Sequence, residues 1–204
     1  MIEINDEQIK KNWITSIHEI KVSICCITYN QELYISETID SFLKQKTNFP
    51  FEILVSDDCS SDATKEIIEQ YVRKFPSIIK SVGVDENLGA NGNILNVFSH
   101  AKGNYIAFCE GDDYWVDDNK LQVQLEAMES NPHIKFSFHP CYLLNNNILN
   151  ESRSFYKGPN PTVFHIKDVL NSLNQFAPTA SYMFHRSLID NIPDWFINAP
   201  VGDL

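Results

Sequence analysis

Four clusters of polar side chains that could bind a ligand each come directly after a hydrophobic run. They are Thr28-Tyr29-Asn30, Asp57-Asp58, Asn87-Leu88-Gly89 and Glu110-Gly111-Asp112-Asp113. Carboxylates can accept hydrogen bonds from sugar hydroxyls or a base N–H, and they can hold a hard cation such as Mg²⁺ or Mn²⁺. Such a cation can bridge to a diphosphate and stabilise it as a leaving group. One acid pair is usually a cap or a solvated loop, but four clusters together indicate a ligand site.

The hydrophobic runs before these clusters predict a sheet that positions them. Strands are predicted over 21–28, 51–56, 78–84 and 104–109, and helices over 6–16, 32–46, 67–75, 90–102 and 117–131. Alternating strands and helices favour an α/β fold with a mostly parallel central sheet flanked by helices. Ligands bind beyond the carboxyl ends of the strands in such sheets, which is where all four clusters fall.

The pattern becomes less regular after residue 133. We predict a strand over 135–144, a polar loop over 145–161, a short helix over 166–173 and a strand over 180–185. These pieces are expected to complete the same sheet and not to form a second domain. The expected organisation is an N-terminal extension over 1–20 and one domain over 21–204.

Composition excludes several classes of function. The chain has 16 Lys and Arg against 27 Asp and Glu, a net charge of −11, which disfavours general binding to nucleic acid or anionic membranes. Apolar runs are only a few residues long, so no transmembrane segment or signal-peptide core is predicted. Five cysteines without a CxxC pair indicate reduced thiols. We therefore expect a cytoplasmic protein, with peripheral association at the inner face of the membrane left open.

Two phosphate-binding motifs and two related folds do not fit. The chain has neither G-x-G-x-x-G nor G-x-x-x-x-G-K-[ST], and only 7 glycines. A nucleotidyltransferase should have a glycine-rich loop with a basic residue after the first strand, but residues 28–32 contain no Gly, Lys or Arg. A phospho-acceptor receiver domain should have its acid pair after the first strand, whereas Asp57-Asp58 follows the second.

Residues 21–115 resemble family 2 glycosyltransferases, in blocks at 22–30, 53–62, 87–89 and 103–115 that occur in the family's order. The E-G-D-D-Y-W run at 110–115 is similar to that of bacterial members that build surface polysaccharides. The resemblance implies the GT-A fold, with a Rossmann-like sheet, a nucleotide-binding half over 21–115 and an acceptor half over 116–204. Relatives usually continue further, so we expect the chain to be truncated at its C-terminus.

The resemblance also implies a nucleotide site. Tyr29 should lie against the base, Asp58 should accept from the uracil N–H, and Asp112 should face the ribose and the metal. Asp113 should be a further ligand of Mn²⁺ or Mg²⁺. The other residues matched to the nucleotide-sugar site are Thr28, Asn30, Glu32, Asp57, Asn93, Glu110 and Gly111.

Two positions depart from the family pattern. Glu110 stands at the first acid of D-x-D, which puts direct metal ligation by this residue in doubt but not a water-bridged role. Gly92 stands where relatives often have a basic residue, so one positive contact to the nucleotide is expected to be absent.

The resemblance implies that Asp203 is the general base that deprotonates the acceptor hydroxyl; His139 and His185 are alternatives. In-line attack opposite the diphosphate inverts the anomeric configuration. Trp115, Tyr114 and Trp195 are expected to pack in or at the edge of the core, with Trp115 alternatively stacking on a sugar.

The predicted function is therefore an inverting, metal-dependent glycosyltransferase. The donor is a nucleotide-diphosphate sugar, expected to be UDP-linked, and the acceptor a saccharide or lipid-linked saccharide in surface-polysaccharide synthesis. The alternative is a sugar-nucleotide-binding or inactive module. No nucleic-acid partner is expected, and the sequence does not determine the oligomeric state.

Overall fold

The computed structural model describes residues 4–14, 19–145, 148–155, 161–172 and 175–199. Its strands are β1 (Val22–Thr28), β2 (Phe51–Asp57), β3 (Ile79–Ser81), β4 (Tyr105–Glu110), β5 (Phe136–Ser137), β6 (Cys141–Asn145), β7 (Ile148–Ser154) and β8 (Met183–His185). Within the described residues, six strands form one sheet in the order β3-β2-β1-β4-β8-β5. The first four are parallel, and β8 runs antiparallel to β4 and β5. The predicted mostly parallel α/β sheet is confirmed.

The helices are α1 (Asp6–Lys10), α2 (Ile35–Leu43), α3 (Thr64–Lys74), α4 (Gly89–Ser99), α5 (Lys120–Glu129) and α6 (Ile166–Leu170). Several are shorter than predicted because turns occupy their ends. Before α2, the Tyr34 N–H donates to the Gln31 carbonyl, 3.0 Å away, and before α5 the Asp117 carboxylate accepts from the Asn119 N–H at 2.8 Å. Short 3₁₀ turns lie at Thr179–Ser181, Arg186–Leu188 and Asp194–Asn198.

The central strands are buried on both faces. Every residue of β1 and β2 is buried, and neighbours such as Cys25 and Cys26 belong to different hydrophobic clusters. This follows from the two-residue period of a strand, which sends successive side chains to opposite faces. Helices α2, α3 and α5 pack on the Cys26 face, and α4 packs on the Cys25 face. The sheet is therefore covered on both sides and presents its strand ends to solvent.

The described part of the first 20 residues packs against the domain. Ile9 of α1 is buried in the main hydrophobic cluster, and the Trp13 indole N–H donates to Thr47 Oγ1 at 3.1 Å. The predicted helix over 6–16 is only Asp6–Lys10, and residues 15–18 lie outside the described part.

The second half differs from the prediction in two places. The loop predicted over 145–161 is wrong in its first part, because β7 pairs antiparallel with β6. The strand predicted over 135–144 is divided into β5 and β6, and Pro140, which has no N–H for a sheet hydrogen bond, lies in the break. Strand β8 does complete the main sheet, as expected, although it starts at Met183 because a 3₁₀ turn precedes it.

Candidate active site

Three of the polar clusters end neighbouring strands at the same level. Thr28 of β1 is in register with Asp57 of β2, and Ile27 is in register with Glu110 of β4. Because these three strands are parallel and adjacent, the residues that follow them share one edge of the sheet. The predicted convergence is confirmed, and this edge is the candidate active site.

Asp58 occupies the β2 end of this edge. It is buried, its Oδ1 accepts the Leu88 N–H at 2.8 Å, and its own N–H donates to the Thr28 carbonyl at 2.9 Å. Its Oδ2 accepts no hydrogen bond from the described residues. Tyr29, which follows Thr28, has half of its surface exposed (50%). The arrangement offers an acceptor oxygen and an exposed aromatic ring, which suit the edge and face of a nucleotide base.

Asp57 and Glu32 have protein partners at the start of α3. The Asp57 carboxylate accepts both the N–H (3.1 Å) and the O–H of Ser60. Glu32 Oε2 accepts the Ala63 N–H at 2.8 Å, where the first N–H groups of a helix need acceptors. Ser60 thus holds the turn before α3. The carboxylates of Asp57 and Glu32 therefore stabilise the turn at the start of α3.

The loop after β1 is bound to the same turn. Asn30 has a left-handed backbone (φ 53°), and its N–H donates to Ser60 Oγ at 2.8 Å. Its Oδ1 accepts the Ser61 N–H at 2.8 Å. The Thr28 hydroxyl and Gln31 Oε1 lie 2.7 Å apart within the loop. Thr28 and Asn30 therefore fix the loop that carries Tyr29.

Asn93 is buried beneath the edge. Its Oδ1 accepts the Ser56 hydroxyl at 2.5 Å, and its Nδ2 donates to the Ser56 carbonyl at 3.0 Å. The structure thus uses both polar atoms of this side chain to tie α4 to the end of β2.

The acidic loop after β4 (residues 110–113) contacts the loop after β1 at Gly111. Its N–H donates to the Ile27 carbonyl at 2.9 Å, and its carbonyl accepts the Thr38 hydroxyl at 2.8 Å. A Cβ at this position would lie 2.5 Å from Gln31 Oε1 and 2.8 Å from Thr28 Cβ. Only glycine permits this close approach.

Asp112 and Asp113 follow Gly111, and their carboxylates accept no hydrogen bond from the described residues. Burial and the neighbouring Asp112 charge raise the pKa of Asp113. Two uncompensated carboxylates side by side fit a divalent cation, which would relieve their repulsion. No group of three or more His, Cys, Asp or Glu within the described ranges could hold a metal ion by itself. Such cations are often bound through one or two carboxylates together with substrate phosphates.

Glu110 is held differently from the two aspartates. Its Oε2 accepts the Thr179 hydroxyl at 2.7 Å, which links the acidic loop to the turn before β8. This contact fits the doubt about Glu110 as a direct metal ligand, because one of its oxygens is already engaged.

Trp115 lies in the core and not at the ligand edge. It is 6% exposed, packs 4.6 Å from the Phe42 ring, and donates its indole N–H to the Ala180 carbonyl at 2.8 Å. Lys120 Nζ lies 3.8 Å from the centre of its ring, and burial lowers the pKa of Lys120 to about 7. Trp115 therefore supports the acidic loop from behind, whereas Trp195 is exposed.

The two histidines are poorly placed as bases. His185 is paired with Tyr105 at the start of β4, which is the opposite edge of the sheet. Burial lowers the pKa of His139 to about 4, and its Nδ1 lies 2.9 Å from the Pro140 carbonyl. Asp203 lies outside the described residues, so its expected role stays a prediction.

Three residues that the sequence did not single out complete the edge: Gln31, Thr38 and Thr179. Gln31 lies beside Gly111 of the acidic loop. The Thr38 hydroxyl donates to the Gly111 carbonyl, and the Thr179 hydroxyl donates to Glu110 Oε2. Thr38 and Thr179 are distant from the acids in sequence, and no local pattern marks them.

The sheet and the polar groups at its carboxyl edge together define an α/β domain with a candidate ligand site. The family model described as "Glycosyl transferase family 2" matches residues 23–192, and the chain belongs to this family. It is 39% identical over 107 residues to the putative teichuronic acid biosynthesis glycosyltransferase TuaG of Bacillus subtilis, a match covering 52% of this chain and 41% of TuaG. It is 38% identical over 126 residues to the Escherichia coli glucosyltransferase WfgD, covering 62% of this chain and 47% of WfgD.

The solved structure of Staphylococcus aureus TarS 1–349 in complex with UDP has the same fold, with a TM-score of 0.61 and 28% identity. That match covers 84% of this chain and 48% of the TarS chain. The fold is GT-A. The chain spans less than half the length of each of these three proteins. Across the described part of the chain, no helix has the length and apolarity needed to cross a membrane.

Proposed function

We propose that this domain transfers a sugar from a nucleotide-diphosphate donor, UDP-linked, to a saccharide or lipid-linked saccharide acceptor, with inversion at the anomeric carbon and dependence on a divalent cation. The observation that carries the proposal is the pairing of two unsatisfied acidic positions on one edge. Asp58 Oδ2 lies at the β2 end, and the Asp112 and Asp113 carboxylates follow β4.

The Asp58 end accounts for the nucleotide. The Asp58 Oδ2 accepts no hydrogen bond from the described residues, and a uracil N–H would supply a donor for it. The Tyr29 ring is free to lie against the base. TarS, whose solved structures include UDP and UDP-GlcNAc complexes, supports a UDP-linked donor.

The acidic end accounts for the diphosphate. Asp112 and Asp113 would hold Mn²⁺ or Mg²⁺, with the remaining ligands coming from the donor and water. When bound, the cation neutralises charge on the departing diphosphate. Asp112 and Asp113 also add to the negative charge of a chain whose net charge is −11, so a phosphorylated donor would need a cation to approach them.

The transfer step forms one bond and breaks another at the anomeric carbon. The acceptor oxygen attacks this carbon while the bond to the diphosphate oxygen breaks, and the diphosphate leaves with the electron pair. We assign the acceptor proton to the Asp203 carboxylate, since His139 Nε2 is buried and His185 lies at the opposite edge of the sheet. This assignment rests on sequence resemblance.

The cellular process is surface-polysaccharide synthesis. TuaG is named for teichuronic acid biosynthesis, and WfgD for transfer of glucose to a diphosphoundecaprenol-linked sugar. A lipid-linked acceptor would lie at a membrane, and we propose its inner face as the place of the reaction.

Calorimetry with UDP, in the presence and absence of Mn²⁺, tests the proposal. We expect binding that requires Mn²⁺ and is weakened about 10-fold by Asp58→Asn, because the amide turns an N–H toward the base N–H. Asp118→Asn, which removes a carboxylate paired with Lys46 at 2.9 Å, is the matched control and should bind normally.

Equal affinity for UDP without the cation would contradict the metal role. A screen of UDP-sugars for UDP release with Mn²⁺ then identifies the donor. Tight UDP binding without release from any donor would favour the alternative of a binding module.

A further inference from the structure

Asn91 joins the donor-binding half to the second half of the chain. Its side chain is buried (7% exposed), and its Nδ2 donates to the Phe196 carbonyl and to the Ala199 carbonyl, each at 2.9 Å. These acceptors lie 105 and 108 residues further along the sequence. One amide therefore uses both of its N–H groups on one backbone segment, Asp194–Ala199, which we call the acceptor-side segment.

The helix that carries Asn91 begins at the nucleotide end of the edge. Leu88, just before α4, donates its N–H to Asp58 Oδ1 at 2.8 Å, and Asn87 Nδ2 donates to the Asp58 carbonyl at 3.0 Å. Asn91 follows in the first turn of α4. A short, rigid path thus runs from the proposed base-binding carboxylate through the start of α4 to the acceptor-side segment.

The acceptor-side segment is mostly exposed in the part of the chain that the structure describes. It is a single 3₁₀ turn, and its Trp195 and Ile197 side chains are 66% and 54% exposed. The Phe196 carbonyl also accepts the Ala199 N–H at 3.1 Å, but the Ala199 carbonyl accepts no backbone hydrogen bond from the described residues, so Asn91 supplies its donor. In the sequence, the segment leads within four residues to Asp203.

We propose that Asn91 is a positioning residue that holds the acceptor-side segment against the donor-binding helix. The proposal rests on the proposed function, since it assigns Asn91 a part in the same transfer. The proposal predicts different results for the rate and for binding. Replacing Asn91 slows the transfer, and it leaves nucleotide binding at Asp58 unchanged. A residue that only stabilised the fold would show no such division.

The matched control is Asn96 on the same helix. Its Nδ2 also donates two hydrogen bonds, to Ser56 Oγ at 2.8 Å and to the Val82 carbonyl at 2.7 Å, but both acceptors lie in the donor-binding half. Asn91→Ala and Asn96→Ala therefore remove equal numbers of similar bonds. Comparable losses in Tm are expected for the two variants.

The kinetic test measures UDP release from the UDP-sugar donor with Mn²⁺, together with UDP affinity by calorimetry. For Asn91→Ala we expect kcat to fall about 10- to 100-fold, the cost of a misplaced reacting group, with UDP affinity within about 2-fold of wild type. Asn96→Ala should retain kcat. Equal kcat values in the two variants, or lost UDP binding in Asn91→Ala, would overturn the proposal.

Hydrogen exchange separates this proposal from the proposed function. The amides of Phe196 and Ala199, which donate to the Pro193 and Phe196 carbonyls, should exchange faster in Asn91→Ala than in Asn96→Ala. Unchanged exchange in Asn91→Ala would refute the positioning role whatever the activity. Absence of UDP release by the wild-type protein with every donor would instead refute the proposed function.

Discussion

Both edges of the central sheet carry carboxylates, but Glu52 at the amino edge and the Asp112–Asp113 pair at the carboxyl edge have opposite surroundings. At the amino edge, the buried Glu52 carboxylate accepts the Ser23 hydroxyl (2.9 Å), the Lys102 N–H (3.0 Å) and Lys80 Nζ (2.6 Å). At the carboxyl edge, Asp112 and Asp113 accept no hydrogen bond from the described residues.

Glu52 therefore stabilises the fold, whereas Asp112 and Asp113 are available to bind a ligand. Each Glu52 oxygen has a donor, so its burial is compensated and it ties β1, β2 and β3 together. Asp113 instead has a raised pKa, because partial desolvation and the neighbouring Asp112 charge both oppose its ionisation. Replacing a carboxylate by its amide at each edge should therefore give opposite results.

The largest effect is expected from Asp113→Asn. The change removes charge without volume, so the rate of UDP release with Mn²⁺ should fall about 100-fold or more, a loss typical of one removed electrostatic contact. The melting temperature should stay equal or rise, because a like-charge repulsion disappears. Kinetics and thermal unfolding of the same preparation measure both. A variant that kept its rate in this assay would remove Asp113 from the site.

A smaller effect, on stability and not on ligand binding, is expected from Glu52→Gln. With its oxygen kept by Ser23 and Lys102, the amide turns its NH2 group toward Lys80 Nζ and loses that bond, so the free energy of unfolding should fall by about 2 kcal/mol. UDP affinity of the folded fraction should not change. Denaturant unfolding and calorimetry test this, with the exposed Glu69→Gln as control. If Glu52→Gln weakened UDP binding without lowering stability, the assignment of Glu52 to the fold and not to the ligand site would be wrong.

Glu110 stands between these cases, and Thr179→Val gives the smallest expected effect. The change removes the hydroxyl that Glu110 Oε2 accepts and leaves the shape. We expect a stability loss of about 1 kcal/mol and a rate reduced only a few-fold, because Glu110 is not proposed as a direct metal ligand. A rate loss as large as that of Asp113→Asn would show that Glu110 acts at the metal.

The sequence predicted the first half of the fold well because local patterns determine it. Strands β1 and β2 are unbroken buried runs, and the polar clusters that follow them mark the edge. The strand β7 was missed because its sequence, ILNESRS, is largely polar and lacks the pattern of a buried strand. The antiparallel pairing of β8 depends on packing and was not predictable from its own residues.

The candidate site shows the same limit. Residue types located Asp58, Asp112 and Asp113, but not what each acid contacts. Glu32 and Asp57 match the family pattern equally well, yet their carboxylates bind backbone and hydroxyl groups at the start of α3. Thr179 lies 69 residues from Glu110, and only the folded chain brings them together.

The close approach at Gly111 has a consequence for engineering. A Cβ at this position would collide with Thr28 and Gln31. The loop after β1 and the acidic loop are therefore packed so closely that a change in one should move the other. The nucleotide could be changed by grafting the base-contacting loop of another enzyme onto this domain. Such a graft would also shift Asp112 and Asp113. Chimeras should therefore exchange residues 28–32 and 110–113 as a unit.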